Sequence, residues 1–438
     1  MSDFSSDIAP GRLDAPALAH NFGDAHPPLS PHEALVESSR CYFCYDAPCI
    51  QACPTGIDIP GFIRKINTGN IKGSALRILE ANIFGGSCAR VCPTEILCEG
   101  ACVRTAEEDR PVRIGALQRH ATDWLMEREA TPFVRAPATG RHIAVVGAGP
   151  AGLACAHRLA LHGHGVTVFD AKPKPGGLNE YGIAAYKLAD DFAQREVAFI
   201  LGVGGIAVEH DRLLGRDLDL TALREEYDAV FLAIGQAGVR ALDLEGEALA
   251  GVHNAVDFIA ALRQSVDKSA LPVGRRVVVI GGGNTAVDAA TQARRLGAED
   301  VTIVYRRGPE SMSATRTEQA WAQTNGVRIR HWATPRRFLS GYGGVAAVEF
   351  LRTHPGAKGE SFTLEADMVL KAVGQTFDPL PVPVLEVAGG RIVVDARRQT
   401  SIPGIYAGGD CVAGADLTVS AVQDGKLAAE AIHASLSA

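Results

Sequence analysis

Two segments of this 438-residue chain repeat one pattern, and the repeat limits the possible folds more than any other feature. HIAVVGAGPAGLACA at residues 142–156 is echoed by RVVVIGGGNTAVDAA at residues 276–290. VFLAIGQ at residues 230–236 is echoed, in the same order, by VLKAVGQ at residues 369–375. In both copies of the first pair an apolar strand leads through a glycine turn into an alanine-rich helix. This is typical of dinucleotide-binding units in parallel α/β architecture, so we expect two of them.

The first glycine turn has the spacing that a bound pyrophosphate requires. Gly147 permits the tight turn, Gly149 lets the backbone approach the phosphates, and Gly152 lets helix and strand pack closely. The pyrophosphate would lie at the helix N-terminus, where free N–H groups favour an anion. The strand VTVFD follows and ends at Asp170, whose carboxylate can accept hydrogen bonds from a ribose diol.

The second glycine turn, GGGNTA at residues 281–286, has the related GxGxxA form. Its second strand ends in VTIVYRR, which places Arg306 and Arg307 where an acidic residue would favour NAD. Arginines at this point can pair with a 2′-phosphate and so favour NADP, but they can equally be solvated surface charges. The sequence leaves the choice between NAD(H) and NADP(H) open.

Eight of the ten cysteines are concentrated in one part of the chain, in two runs. The runs are Cys41, Cys44, Cys49 and Cys53 before a proline, and Cys88, Cys92, Cys98 and Cys102. Disulfides are disfavoured because the start, MSDFSSDIAP, lacks the features of a secretory signal, and we expect a cytoplasmic location. Zinc would not require the two Cys-Pro steps, whereas the first run is close to the ferredoxin pattern. The spacing therefore favours iron–sulfur clusters over zinc.

Composition excludes several classes of function. The net charge of −7 gives no electrostatic basis for binding nucleic acid or an anionic membrane. No apolar run reaches the roughly 18 residues of a membrane span. Residues 1 to about 30 are rich in Pro, Ala and Asp, and we interpret them as a loose arm.

The fold class that follows is α/β, with an N-terminal helical iron–sulfur domain followed by two Rossmann-like dinucleotide-binding domains. The resemblance of residues 404–426 to two-dinucleotide-domain flavoproteins implies that the second of these domains is inserted in the first and that the first holds FAD. The expected boundaries are 1–135 for the helical domain, 141–250 and 376–438 for the two parts of the FAD-binding domain, and 251–375 for the NAD(P)-binding domain.

The segment GIYAGGDCVAGADLTVSAVQDGK near the C-terminus resembles the corresponding motif of the pyridine-nucleotide disulfide oxidoreductase superfamily. The resemblance implies FAD in the first unit and a nicotinamide nucleotide in the second. The FAD residues would be Gly147, Gly149, Pro150, Ala151, Gly152, Asp170, Gly177, Leu178, Gly409, Asp410 and Thr418. The NAD(P) residues would be Gly281, Gly283, Asn284, Thr285, Ala286, Arg306 and Arg307. Cys155 and Cys411 stand alone in the sequence, so a redox cysteine pair beside the flavin is not expected.

The cysteine segments ESSRCYFCYDAPCIQACPTGIDIPGFI and GGSCARVCPTEILCEGACVR, followed by RIGALQRHATDW, resemble the dihydropyrimidine dehydrogenase family. The resemblance implies two [4Fe-4S] clusters. Their ligand sets would be Cys41, Cys44, Cys49 and Cys102 for the first, and Cys53, Cys92, Cys98 and Gln118 for the second. Cys88 would then be a non-ligand, although spacing alone favours Cys88 over Gln118.

Within this family the chain resembles the flavin subunit of the bacterial NAD-dependent enzyme. The resemblance implies an electron-input subunit without a catalytic acid, base or nucleophile, which oxidises NAD(P)H and serves an FMN- and iron–sulfur-containing partner in a heterotetramer. That partner would reduce uracil or thymine to the 5,6-dihydropyrimidine. One alternative is the NADPH-dependent small subunit of glutamate synthase or a related electron-transfer module, and a second is a zinc-bearing adaptor without redox activity.

Overall fold

The structure, a computed structural model, describes residues 7–128, 131–357, 359–379 and 382–437. Its helices are α1 Ala15–Asn21, α2 Pro31–Ser38, α3 Pro48–Gln51, α4 Ile59–Asn67, α5 Ile71–Ala81, α6 Gly85–Val91, α7 Val103–Glu108, α8 Ile114–Met126, α9 Pro150–Leu161, α10 Leu178–Tyr181, α11 Phe192–Leu201, α12 Leu220–Glu226, α13 Ala255–Gln264, α14 Asn284–Arg295, α15 Arg316–Thr324 and α16 Thr418–Ser437. Its strands are β1 His142–Val146, β2 Gly165–Phe169, β3 Ile206–Glu209, β4 Ala229–Leu232, β5 Gly238–Val239, β6 Val252–Asn254, β7 Arg276–Gly281, β8 Asp300–Val304, β9 Val327–Arg330, β10 Ala333–Gly341, β11 Gly344–Arg352, β12 Ser361–Glu365, β13 Met368–Ala372, β14 Gln375–Thr376, β15 Val387–Ala388, β16 Arg391–Ile392 and β17 Ile405–Ala407.

The chain divides into two units. Unit A contains the described residues within 1–25, 181–189 and 239–375, and unit B contains the described residues within 26–180, 190–238 and 376–438. Unit B therefore holds the helical cysteine-rich region together with the first glycine turn, whereas unit A holds the second glycine turn.

The sheet of unit B is parallel and has the strand order β17-β4-β1-β2-β3. Strand β1 lies at its centre, with Ile143 opposite both Val166 of β2 and Ala229 of β4. Its apolar residues are buried, as expected for a strand covered on both faces. Helix α9 packs against the sheet and against α16, so the first glycine turn opens at the carboxyl edge of the strands.

The main sheet of unit A repeats this plan with the order β6-β13-β7-β8-β9, again parallel. The two orders correspond strand for strand, which confirms the two Rossmann-like units that the sequence repeat predicts. Unit A also carries an antiparallel sheet of β10, β11 and β12, in which a bulge lies between Pro335 and Arg337.

The cysteine-rich region of unit B is helical, as predicted. Helices α4, α5 and α8 bury one apolar face each, and Phe62, Ile78 and Leu117 are fully buried between them. Asp58 caps α4 and Asn70 caps α5, since the side chain of each accepts a hydrogen bond from a backbone N–H of the first turn.

The prediction of a loose arm is wrong for residues 7–25. Helix α1 begins after Asp14, whose carboxylate caps it, and buries Leu18 in the core of unit A. Phe22 is buried in the same core, and Asn21 donates from its amide to the carbonyl of Arg295 at 2.8 Å. These residues lie with unit A, although the predicted boundary assigned them to the helical domain; residues 1–6 lie outside the described residues.

A second difference concerns the segment of residues 181–189, which lies between parts of unit B in sequence but belongs to unit A. Tyr186 is completely buried there, and the ammonium of Lys187 lies 2.8 Å from Asp288 and 2.7 Å from Glu318. Buried charges of opposite sign are paired, which fixes this segment on helices α14 and α15. The longest segment of unit A begins at Val239, whereas the predicted NAD(P)-binding domain begins at residue 251.

Candidate redox site

The first glycine turn connects β1 to α9 through a backbone that only glycine tolerates. Gly147 has φ +107°, and a Cβ there would lie 2.2 Å from the carbonyl oxygen of Ala233. A Cβ on Gly152 would lie 1.9 Å from the carbonyl oxygen of Gly147. The turn is therefore closed tightly against the sheet, as the sequence spacing predicts.

A second glycine pair comes close to this turn. Gly177, at φ +55°, precedes α10, which begins at Leu178. A Cβ on Gly177 would lie 2.6 Å from Cα of Gly149. Helix α9 begins at Pro150 and Ala151, and no side chain caps its N-terminus. Together these residues form a cradle of bare backbone with free N–H groups, which suits a pyrophosphate.

Asp170 follows the last residue of β2 and turns back towards the cradle. One carboxylate oxygen accepts a hydrogen bond from the N–H of Ala148 at 2.6 Å, and the other accepts from the N–H of Lys172 at 2.7 Å. Burial raises the pKa of Asp170, against the lowering effect of these two hydrogen bonds. Its predicted contact with a ribose stays a prediction.

The C-terminal motif contains three of the residues that are predicted to bind FAD, namely Gly409, Asp410 and Thr418. Strand β17 ends before Gly409 and Asp410, and α16 begins at Thr418, as expected. Arg391 donates to the backbone carbonyl of Asp410 at 2.7 Å and to Asp416 at 2.9 Å. Burial, reinforced by Asp416, raises the pKa of the Asp410 carboxyl to about 6.

The two single cysteines are packing residues. Cys155 lies within α9 and Cys411 follows Asp410, and both are completely buried. Burial raises the pKa of the Cys155 thiol well above its usual value and that of Cys411 to about 12. Neither thiol has the exposure or low pKa of a redox-active cysteine.

The first cysteine cavity is defined by Cys41, Cys44, Cys49 and Cys102, which line a space of about 370 Å³. Its other walls are mostly apolar and include Ile59, Ile63 and Val112. Phe43 adopts φ +52°, which is uncommon outside glycine, and its N–H lies 3.4 Å from Sγ of Cys41. The chain thus directs an N–H group at a sulfur, one of the means by which proteins tune iron–sulfur clusters.

The second cysteine cavity is defined by Cys53, Cys88, Cys92, Cys98 and Gln118, which line a space of about 380 Å³. Val419 of α16 also lines it, so one wall comes from the C-terminal helix of unit B.

Gln118 and Cys88 both face the second cavity. The amide nitrogen of Gln118 donates to the carbonyl of Gly85 at 2.7 Å, which leaves its oxygen as the candidate ligand atom. Cys88 accepts a hydrogen bond from Asn82 at 3.2 Å. The choice between the two stays a prediction.

Four cysteines line each cavity, and thiolate is the usual ligand of iron–sulfur clusters. Burial raises the pKa of Cys41 and Cys98, and that of Cys49 to about 12. The hydrogen bond with Cys88 and burial together raise the pKa of Cys92 well above its usual value. Such thiols need an adjacent positive charge to ionise, and iron supplies one when it binds.

The second glycine turn lies in unit A, where β7 leads into α14. Gly281 and Gly283 flank Gly282, and a Cβ on Gly282 would lie 2.4 Å from the ring of Tyr305. Helix α14 begins at Asn284, Thr285 and Ala286, and no side chain caps it. This open N-terminus can accept a second pyrophosphate.

Arg306 and Arg307 follow β8 and are both exposed. Arg307 donates to the hydroxyl of Tyr305 at 3.1 Å. Their role towards a 2′-phosphate stays a prediction.

Two residues escaped the sequence reasoning. Glu196 of α11 is buried and accepts hydrogen bonds from the N–H of Ser87 at 2.9 Å and from its hydroxyl. Lys426 of α16 donates to two backbone carbonyls of the helical region. No pattern in the neighbouring sequence indicates either contact, although Lys426 belongs to the C-terminal motif at residues 404–426.

Comparison with known proteins identifies the family. Residues 141–425 match the family described as pyridine nucleotide-disulphide oxidoreductase. The chain belongs to this family. Residues 18–130 match a second family, dihydropyrimidine dehydrogenase domain II with a 4Fe-4S cluster.

Two relatives match almost the whole chain. The NAD-dependent dihydropyrimidine dehydrogenase subunit PreT of Salmonella typhimurium is 37% identical over 413 residues, covering 93% of this chain and 95% of the relative. The small chain of NADPH glutamate synthase of Escherichia coli K12 is 35% identical over 441 residues, covering 94% and 93%. Among solved structures, T. acidophilum thioredoxin reductase has a TM-score of 0.52 at 22% identity, covers 68% of this chain, and supports the fold alone.

The matched families and the fold establish an NAD(P)-dependent oxidoreductase that uses FAD and 4Fe-4S chemistry. The three expected cofactor classes, FAD, NAD(P) and 4Fe-4S, are confirmed. Within the described residues, no helix is both long and apolar enough to cross a bilayer.

Proposed function

We propose that the chain is the electron-input subunit of a dihydropyrimidine dehydrogenase. It would oxidise NAD(P)H through FAD and pass electrons through two [4Fe-4S] clusters to an FMN-containing partner that reduces uracil or thymine. The observation that carries the proposal is the second cysteine cavity, because its wall includes Val419 of α16. The same helix begins at Thr418, which is one of the residues predicted to bind FAD. The 37% identity to the PreT subunit supports the choice of partner chemistry.

The bound groups would supply hydride acceptance at the flavin and one-electron transfer at the clusters, so the chain itself needs no acid, base or nucleophile. Its residues would bind the two nucleotides and hold them in a fixed orientation. The uncapped N-termini of α9 and α14 would each hold a pyrophosphate, and Asp170 would orient the ribose of FAD. Asp410 and Thr418 would face the remainder of the flavin nucleotide.

The two cysteine cavities would hold one cluster each. We assign Cys41, Cys44, Cys49 and Cys102 to the first cluster, and Cys53, Cys92, Cys98 and Gln118 to the second. The assignment of Gln118 is supported by its buried position and by its engaged amide nitrogen, which leaves the oxygen to face the cavity. We further propose a cytoplasmic location, where reducing conditions preserve thiols.

The test is reconstitution. The chain alone should oxidise NADH or NADPH with an artificial acceptor and should not reduce uracil. Addition of an FMN-containing partner subunit should couple nucleotide oxidation to uracil reduction. Uracil reduction by the single chain, or an absence of coupling in the assembled complex, would contradict the proposal.

A second candidate is the small subunit of glutamate synthase. It is supported by the 35% identity to that chain and by the exposed Arg306 and Arg307, which suit the 2′-phosphate of NADPH. Steady-state rates with NADH and NADPH separate the two candidates when each partner subunit is supplied in turn. Replacing both arginines by alanine should raise KM for NADPH and leave KM for NADH unchanged.

A further inference from the structure

The C-terminal motif ends in three consecutive residues, Asp424, Gly425 and Lys426, which the proposed cofactor contacts do not use. All three lie on α16, and each has a different neighbour within unit B. Asp424 accepts a hydrogen bond from the N–H of Gly409 at 3.0 Å and pairs with Arg398 at 2.6 Å. It therefore fixes the turn that presents Asp410.

Gly425 allows two helices to touch. A Cβ at this position would lie 2.1 Å from the carbonyl oxygen of Ala151 and 2.9 Å from the backbone nitrogen of Cys155. Ala151 belongs to the first turn of α9, which opens onto the predicted pyrophosphate cradle. Gly425 thus holds α16 directly against the helix that carries the first glycine turn.

Lys426 reaches the helical cysteine-rich region. Its ammonium donates to the carbonyl of Ala81 at 2.9 Å and to the carbonyl of Thr55 at 3.1 Å. Ala81 is the last residue of α5, where carbonyls lack helical partners and the helix dipole favours a cation. The hydroxyl of Thr55 lies 3.3 Å from Sγ of Cys53, a residue of the second cavity.

Lys426 and Val419 are seven residues apart, which is two helical turns, so they share one face of α16. Val419 forms part of the wall of the second cavity. One face of α16 therefore carries Val419, which lines the second cavity, and two turns later Lys426. The ammonium of Lys426 is held by Thr55, in the loop that follows Cys53 of that cavity. Asp424 connects this helix to the turn at Gly409, and Gly425 allows it to contact α9.

We propose that Lys426 is a positioning residue, which holds the second cavity against the flavin-binding part of unit B and raises the reduction potential of its cluster. The inference rests on the proposed function, in which electrons pass from FAD to the clusters. A cation near a cluster favours its reduced, more negative state, and charge near the cluster is a recognised determinant of its potential. The contact also joins α16 to the last residue of α5 and to the loop that carries Thr55.

The experiment uses the full chain with FAD and reconstituted clusters, under anaerobic conditions. The variants are Lys426→Met, which removes the cation, and Lys426→Arg, which keeps it. Lys72→Met is the matched control, because Lys72 is an exposed lysine on α5 of the same helical region. The potential of each cluster is measured by EPR-monitored titration, and the signals are assigned with Cys44→Ser and Cys92→Ser.

We expect Lys426→Met to lower the potential of the second cluster and to slow cluster reduction several-fold after mixing with NADH. Flavin reduction by NADH should be unchanged, and Lys426→Arg and Lys72→Met should resemble the wild type. Loss of the second cluster in Lys426→Met with retention in Lys426→Arg would also support the proposal. Wild-type potentials in Lys426→Met, or equal defects in both Lys426 variants, would overturn it.

These measurements need neither a partner subunit nor a pyrimidine. A failure of uracil coupling would therefore leave this result intact, and a negative result here would leave the choice of partner intact.

Discussion

The two cysteine cavities are nearly equal in volume and similar in donor chemistry, but their surroundings differ. The first cavity is built by residues 41–114 alone and is bordered by Tyr42, which is half exposed. The second also includes Val419 of α16. Two further contacts beside this cavity join the cysteine-rich region to later elements of unit B, one between Glu196 and Ser87 and one between Lys426 and Ala81. Of the two cavities, only the second is lined by a residue of the C-terminal helix.

This difference suggests the order in which the two clusters are reduced. We infer that electrons enter through the cluster of the second cavity and leave through the cluster of the first. The spacing of the cysteines cannot give this order, because cysteines of both runs line each cavity. The predictions that follow test the difference between the cavities.

The largest effect is expected from removing one cluster at a time. Cys44→Ser and Cys92→Ser should each abolish electron delivery to the partner subunit, because each breaks the path. Rapid mixing with NADH should still reduce the remaining cluster quickly in Cys44→Ser, and only slowly in Cys92→Ser. Oxidation of NADH by ferricyanide should persist in both variants, which controls for an intact flavin site. Equal rates of reduction of the remaining cluster in the two variants would contradict the inferred order.

The second prediction concerns Glu196, which links helix α6 of the second cavity to α11. Burial raises its pKa to about 7, so the neutral form is favoured in the folded protein. Its contribution to stability is present at low pH and is lost as pH rises towards and through about 7. Between pH 5 and pH 8 the free energy of unfolding should fall, on the order of 3 kcal/mol, relative to Glu196→Gln.

Unfolding midpoints of the wild type and Glu196→Gln at each pH measure this difference. Glu180 of the same unit, also buried, provides a control in Glu180→Gln. Identical pH profiles for Glu196→Gln and the wild type would show that Glu196 is not held in a neutral form.

The third prediction distinguishes the fourth ligand of the second cavity. Gln118→Ala should change the EPR signal assigned to the second cluster and leave that of the first unchanged, because Gln118 lines only the second cavity. Cys88→Ala should preserve both signals. The reverse pattern, with a change only in Cys88→Ala, would assign the ligand to Cys88.

The smallest effect is expected at the rim of the first cavity. Tyr45 follows Cys44 and is completely exposed. If the partner subunit covers this rim, Tyr45→Ala should raise KM for the partner about fivefold, or ~1 kcal/mol, with kcat unchanged. Tyr342 of unit A is similarly exposed, and Tyr342→Ala is the matched control. Equal KM values in the two variants would place the partner elsewhere.

The sequence was most informative where function depends on short-range patterns. Gly147, Gly149 and Gly152 lie within six residues, and the turn they form needs no distant contact to be recognised. The same holds for the start of α16 at Thr418, which the structure confirms. The grouping of Cys102 with Cys41 is implied by the family resemblance and not by spacing, because the two residues are far apart in sequence; the structure lines the first cavity with both.

The sequence was least informative where distant segments meet. The composition of residues 1 to about 30 indicates a loose arm, but the Asp14 cap and the spacing of Leu18 and Phe22 are signals of a helix with one apolar face, which the structure shows. No local pattern indicates that Tyr186 joins unit A or that Glu196 meets Ser87. Such contacts depend on the packing of whole elements, which propensity and spacing do not encode.

The central claim is that iron–sulfur clusters carry electrons from the flavin towards another subunit. It is tested most directly by adding NADH anaerobically to the purified chain and recording flavin absorbance and EPR spectra over time. The account predicts that the flavin is reduced first, that the second cluster follows, and that the first cluster is reduced last. Flavin reduction with no cluster signal, in a protein whose iron and acid-labile sulfide are complete, would contradict it.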